Sequence, residues 1–154
     1  MAGGQRRRHQ SGLNPPTGNL RIPAYFDDRG NLNPDLVDRG AENWAKALSS
    51  VSGTQLRRFY EHVMSLDREL RLHSAQHGGR QKAFERLRAE FLMLRPQVHY
   101  ARGRQGGQVT EELLQFIDQH VRAVGNDVKK FDAFLKHFQS VIAFHKYFES
   151  RKSD

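Results

Sequence analysis

Apolar side chains recur along this chain at intervals of three and four residues, and no stretch alternates apolar with polar positions between turn residues. The helical pattern begins at Asn33, placed as an N-cap with Pro34 in the first helical position, and Leu36, Val37, Trp44, Ala47 and Leu48 give it an irregular apolar face. Ser49 to Gly53 interrupts it. A second helix opens on the capping-box sequence Ser52-Gly53-Thr54-Gln55. It gathers Leu56, Phe59, Tyr60, Val63, Leu66 and Leu70 on one side and sets Arg57, Glu61, Met64, Arg68 and Arg71 on a separate stripe. Gly78-Gly79 punctuates the chain, and Phe84, Leu87, Phe91 and Leu94 mark a third helix. Pro96 either ends that helix or opens a short new one through Val98 and Tyr100. Gly103, Gly106 and Gly107 predict a loop. Thr110 caps a fourth helix carrying Leu113, Leu114, Ile117, Val121 and Val124, which Gly125-Asn126 stops. The last runs from about Asp127 to Ser150. Its wide face of Val128, Phe131, Phe134, Leu135, Phe138, Val141, Ile142 and Phe148 makes it the expected central post of the core. The predicted fold is all-α, a compact bundle of about five helices over residues 33–154.

Residues 1–32 differ in kind. Arg6-Arg7-Arg8, Pro15-Pro16 and several glycines bury too little apolar surface to fold alone, so this segment reads as a flexible basic arm. Tyr25 and Phe26 are the exception and are placed to dock the end of the arm on the body. At 154 residues the chain is one domain long. No apolar run approaches the roughly 20 residues that span a bilayer, and the start lacks the apolar core of a secretory signal. With no cysteine there is no disulfide scaffold and no thiolate site. A cytoplasmic protein without membrane contact is the expectation.

Charge changes the picture. Of the net +8, residues 54–104 supply most, with 11 Lys and Arg against 5 Asp and Glu. Three arginine clusters there adjoin aromatic residues: Arg57-Arg58 before Phe59-Tyr60, Arg86 and Arg88 after Phe84, and Arg102 and Arg104 after Tyr100. Guanidinium groups pair with phosphates, and rings stack on bases, so a nucleic-acid backbone is the natural partner. An arginine so placed serves equally well to bridge helices through a carboxylate such as Glu61 or Glu112. Tyr60 reads as core, whereas Tyr100 fits either a core rim or a stacking position.

Catalytic chemistry finds no support. Glu69, His73 and His77 are spaced one turn apart, but Gly78-Gly79 follows at once and places His77 at a fraying helix end, so no metal is expected. There is no His-Glu-x-x-His sequence, no phosphate-binding glycine loop ending in Lys-Ser/Thr and no local nucleophile signature. The chain is read as a non-enzyme without cofactors. In Ile142-Ala143-Phe144-His145-Lys146-Tyr147-Phe148, His145 is expected to face water and Lys146 to be available to phosphate.

Three ordered segments carry a resemblance: Leu56-Arg57-Arg58-Phe59-Tyr60, Leu94-Arg95-Pro96-Gln97-Val98-His99-Tyr100-Ala101-Arg102-Gly103-Arg104, and Val141-Ile142-Ala143-Phe144-His145-Lys146. In order and spacing they resemble the signature segments of the small helical subunit of the type III-A CRISPR effector, the Csm interference complex. His99 and Phe144, the latter in place of tyrosine, are mild departures. The resemblance implies a non-catalytic subunit of an antiviral ribonucleoprotein. It would stack with neighbouring copies of itself and bind guide RNA and target RNA through their backbones without sequence specificity. Its partners would include the repeated backbone subunit and the large multidomain subunit. Arg57, Arg58, Arg102, Arg104 and Lys146 are the implied RNA contacts, with Arg68, Arg86 and Arg88 behind them. Two rivals remain: a helix-turn-helix DNA-binding regulator, with Ser49 to Gly53 as its turn, and a scaffold that touches only protein.

Overall fold

Side-chain caps set the starts of several helices, as the residue order predicts. The computed structural model describes residues 20–104 and 109–152. The Asn33 side chain accepts a hydrogen bond from the Asp35 N–H at the head of a 3-10 turn, Pro34–Val37. Helix α1, Arg39–Ala47, follows, and Ser52 caps α2, Gly53–His73, by accepting from the Gln55 N–H at 3.1 Å. Thr110 does the same for α6, Glu111–Val124, through the Leu113 N–H at 3.2 Å. Gly125, at φ 58, ends α6 in a conformation that other residues avoid. Helix α7, Val128–Lys152, closes the fold.

The third predicted helix is three short ones: α3, Arg80–Arg86, α4, Arg88–Leu92, and α5, Leu94–Gly103. Two different causes divide it. Pro96 lies in the first turn of α5, where its missing N–H costs nothing, and so opens a new helix. At Leu87 the backbone flattens to φ −95 and ψ 8, its N–H shared between the carbonyls of Ala83 and Phe84. No proline or glycine marks that break. The arginine run at residues 6–8 and the glycines at 106 and 107 lie outside the described residues.

Helix α7 is the post around which the others pack. Phe131, Phe134 and Phe138 are fully buried along it. Phe116 of α6 meets Phe138 at 5.2 Å between ring centres, and His120 meets Phe134 at 4.8 Å, so α6 runs antiparallel to α7. Helix α2 is antiparallel too: its Gly53 N–H donates to Glu149 near the end of α7, while Tyr60 stands edge-on to Phe138 at 5.3 Å. Trp44 of α1 completes the aromatic seam against Phe116 at 5.2 Å. Burying one phenylalanine is worth about 1.5–3 kcal/mol, several times an exposed ion pair, so this seam dominates the hold on α7. One ion-pair network adds to it: the buried Asp67 carboxylate takes Arg71 and Arg80, and Arg80 also reaches Asp132 on α7. The bond to Asp132, reinforced by Asp67, holds the Arg80 guanidinium more firmly protonated against the opposing effect of burial.

Residues 20–32, grouped by sequence with the arm, form a strap across α6 and α1. Gln119 donates to the Leu20 carbonyl and accepts from the Ile22 N–H, and the Trp44 indole donates to the Arg21 carbonyl. Tyr25 is buried, as its apolar character predicts, with its hydroxyl 2.7 Å from His120 Nδ1. A turn stabilised by Asp27 and Gly30, at φ 83, leads back to an isolated antiparallel bridge between Phe26 and Leu32. The strap passes so close that a Cβ on Gly40 would lie 2.7 Å from Pro23 Cγ and 2.6 Å from the Asp35 carbonyl.

His145 corrects the expectation that it faces water. It is buried, and its Nε2–H donates at the α1–α2 corner to the carbonyl of Val51 at 3.0 Å and to that of Leu48 at 3.2 Å, the latter also accepting from the Val51 N–H. Among the described residues no helix is long and apolar enough to cross a membrane.

Candidate nucleic-acid interface

The antiparallel packing brings the start of α2, the end of α5 and the end of α7 to one end of the bundle. Arg57 and Arg58 occupy the second turn of α2. Both are exposed, and neither has an ion-pair partner among the described residues. Arg58 shares a groove of about 350 Å³ with Tyr100 and Arg104 from the end of α5. Two of the three arginine-aromatic segments thus meet in space, although about forty residues separate them in sequence. Phe59 and Pro96 give the groove apolar walls, and Met93 and Tyr100 line it while remaining 47% and 67% exposed. Tyr100 therefore stands outside the core, and Tyr60, edge-on to Phe138, packs against it.

An ion pair positions α5. The Arg95 Nε–H donates to Asp118 of α6 at 2.7 Å, with His99 Nε2 3.8 Å from the second carboxylate oxygen. Arg102 is partly committed, its Nε 3.6 Å from Glu111, but both side chains are about half exposed. Such a pair is worth about 0–1 kcal/mol and yields readily to a phosphate. Among the described residues the carboxylates weighed as alternative partners, Glu61 and Glu112, form no ion pair, whereas Glu111 does.

Lys146 is exposed on α7, one turn before Glu149, the residue that receives the Gly53 N–H at the head of α2. Lys152 Nζ donates to the Ser49 carbonyl at the same end. Arg68 lies on nearly the same side of α2 as Arg57 but roughly 16 Å farther along. Arg86 is exposed at the end of α3, and Arg88 is half-buried, its Nε without a partner among the described residues. None of these three lines the groove. The structure therefore gathers Arg57, Arg58, Arg102, Arg104 and Lys146 at one end and leaves Arg68, Arg86 and Arg88 apart from it.

Sequence reasoning missed Met93 and Gln55 as groove residues. Gln55 carried a signal, as the fourth residue of the capping box, but only half of that box forms. Its N–H bonds to Ser52, yet its Oε1 is buried without a partner among the described residues. At the other end of α2, His73 Nδ1 lies 3.0 Å from Gln76 Oε1 and His73 Nε2 lies 3.5 Å from Glu69. No group of three or more His, Asp or Glu residues suited to a metal ion occurs among the described residues.

A small helical bundle with a cationic, aromatic-lined groove at one end is the class of protein that the fold and surface define. Within that class, the chain belongs to the Csm2 Type III-A family, whose sequence model matches residues 31–151. It is a subunit of the type III-A CRISPR Csm complex, which it forms with other subunits. Comparison with curated proteins and with solved structures gives no match.

Proposed function

We propose that this subunit grips the backbones of guide RNA and target RNA without reading their sequence and takes no part in catalysis. The observation that carries this reading is the convergence of Arg58, Tyr100 and Arg104 on one groove, beside the exposed Arg57. Guanidinium groups free of carboxylates remain available to phosphate, and phosphate contacts position a duplex without conveying sequence. Arg57, Arg58, Arg102, Arg104 and Lys146 form the principal contact set, with Arg68, Arg86 and Arg88 as outlying contacts. Base pairing between guide and target then supplies specificity, as in other RNA-guided machines. Stacking of identical copies is supported by the surface of α7 beside α1, where Tyr147 is 53% exposed next to Phe144. The work is placed in the cytoplasm.

Binding to single-stranded RNA measured against salt tests the reading. Neutralising about four phosphates gives a log–log slope near −3. Replacing both Arg57 and Arg58 by Ala lowers affinity equally for all RNA sequences and leaves the helical circular dichroism unchanged. A flat salt response identifies a protein-only scaffold, and strong preference for one duplex DNA sequence identifies the helix-turn-helix regulator. Incubated with RNA and Mg²⁺ or Mn²⁺, the purified chain yields no cleavage product. Cleavage abolished by changing His73 or His77 would overturn the non-catalytic assignment.

A further inference from the structure

The groove between α2 and α5 is built for more than phosphate. A site that only held backbone would need cations and no exposed ring. Here two guanidinium groups, Arg58 and Arg104, share an apolar concavity with Tyr100, whose ring is two-thirds exposed. Its volume of about 350 Å³ is near the lower limit of small-ligand sites, which span about 300–1,000 Å³. The Oε1 of Gln55, in the same wall, is buried without a donor. No described residue engages that oxygen, which leaves it as an acceptor for an occupant of the groove. We infer that the groove seats one unstacked nucleobase of single-stranded RNA, its face on the Tyr100 ring and its backbone between Arg58 and Arg104.

The chemistry of the four RNA bases suits this arrangement. Every base offers a π-face, and every Watson–Crick edge carries at least one N–H that Gln55 Oε1 can accept, so the seat tolerates any sequence. Charge selects the occupant: two flanking cations match a phosphodiester on each side of the base and repel a basic peptide. The inference rests on the RNA-binding reading above and adds a contribution from the base itself.

The test compares two six-residue RNAs with equal numbers of phosphates, one of uridines and one of abasic ribose units, with the full-length chain at fixed salt. A third oligonucleotide carries a central 2-aminopurine. The expected result is weaker binding of the abasic strand by about 5- to 150-fold, the range for one base on one aromatic ring. Tyr100→Leu should weaken the uridine strand by a similar factor, leave the abasic strand unchanged and abolish quenching of 2-aminopurine. Gln55→Leu should lower uridine affinity without lowering the thermal midpoint, since it removes an unsatisfied buried oxygen. Equal binding of both strands, with the salt slope intact, would overturn the base seat and leave backbone binding standing. Loss of self-association in Tyr100→Leu with RNA affinity unchanged would assign the groove to a second copy of the chain. No binding to either strand would remove both readings.

Discussion

Close contact at Gly40 shows what a single residue can hide from sequence. Read along the chain, it is a poor helix former inside α1. In the fold it is the point where the strap and the 3-10 turn touch the helix, leaving no room for a methyl group. Gly40→Ala should therefore destabilise the protein by about 1–3 kcal/mol through overpacking, despite the better helix propensity of alanine. Chemical denaturation checks this, and an unchanged midpoint would show that the strap yields freely. The buried histidines were hidden for a related reason. His120, His137 and His145 occupy helical positions that look ordinary in sequence, and only the assembled bundle supplies the partners, Tyr25, Leu36 and the α1–α2 corner, that take them inside. Residue type announced Arg57 and Arg58 as surface cations, but the groove that joins Arg58 to Arg104 depends on distant segments.

Helix boundaries were the most legible level. Ser52, Thr110 and Asn33 cap where a short polar oxygen precedes a periodic apolar run, because that local bond needs no tertiary help. Thr110→Ala removes the bond to the Leu113 N–H and should lower stability by about 1 kcal/mol. Thermal melts should detect it as a lower midpoint, with the groove's RNA affinity retained. An unaltered melt would mean that α6 is fixed by its buried face alone. The division of the predicted third helix was legible at Pro96, whose missing N–H acts locally. It was illegible at Leu87, where the flattened backbone follows no residue-type signal.

Acid and base should act on the whole molecule through its buried ring cluster. Burial, followed by the proximity of His137, holds His120 well below the ordinary histidine pKa, and burial also lowers His137 against the opposing pull of the Leu36 carbonyl and Asp35. An unfolded histidine takes up its proton near pH 6.5, roughly where these two resist it, so stability falls as pH drops below about 6.5. Tyr25 is shifted the other way: burial raises its phenol, so stability is kept until pH rises above about 10, where the unfolded side chain ionises. Thermal midpoints across pH 5–11 should show a plateau between those limits, and His120→Phe should flatten the acid limb. The all-α class and the central place of α7 were visible in the spacing of its phenylalanines. The strap was visible only in Tyr25 and Phe26, because its other ties use backbone groups that carry no side-chain signature. Three buried histidines join the first and last thirds of the protein, with Tyr25 bound to His120, Leu36 to His137 and Val51 to His145. On a ribosome moving at 5–20 residues per second, α1 consequently waits roughly 5–20 s for its scaffold to emerge, so the bundle assembles only once α7 has been made.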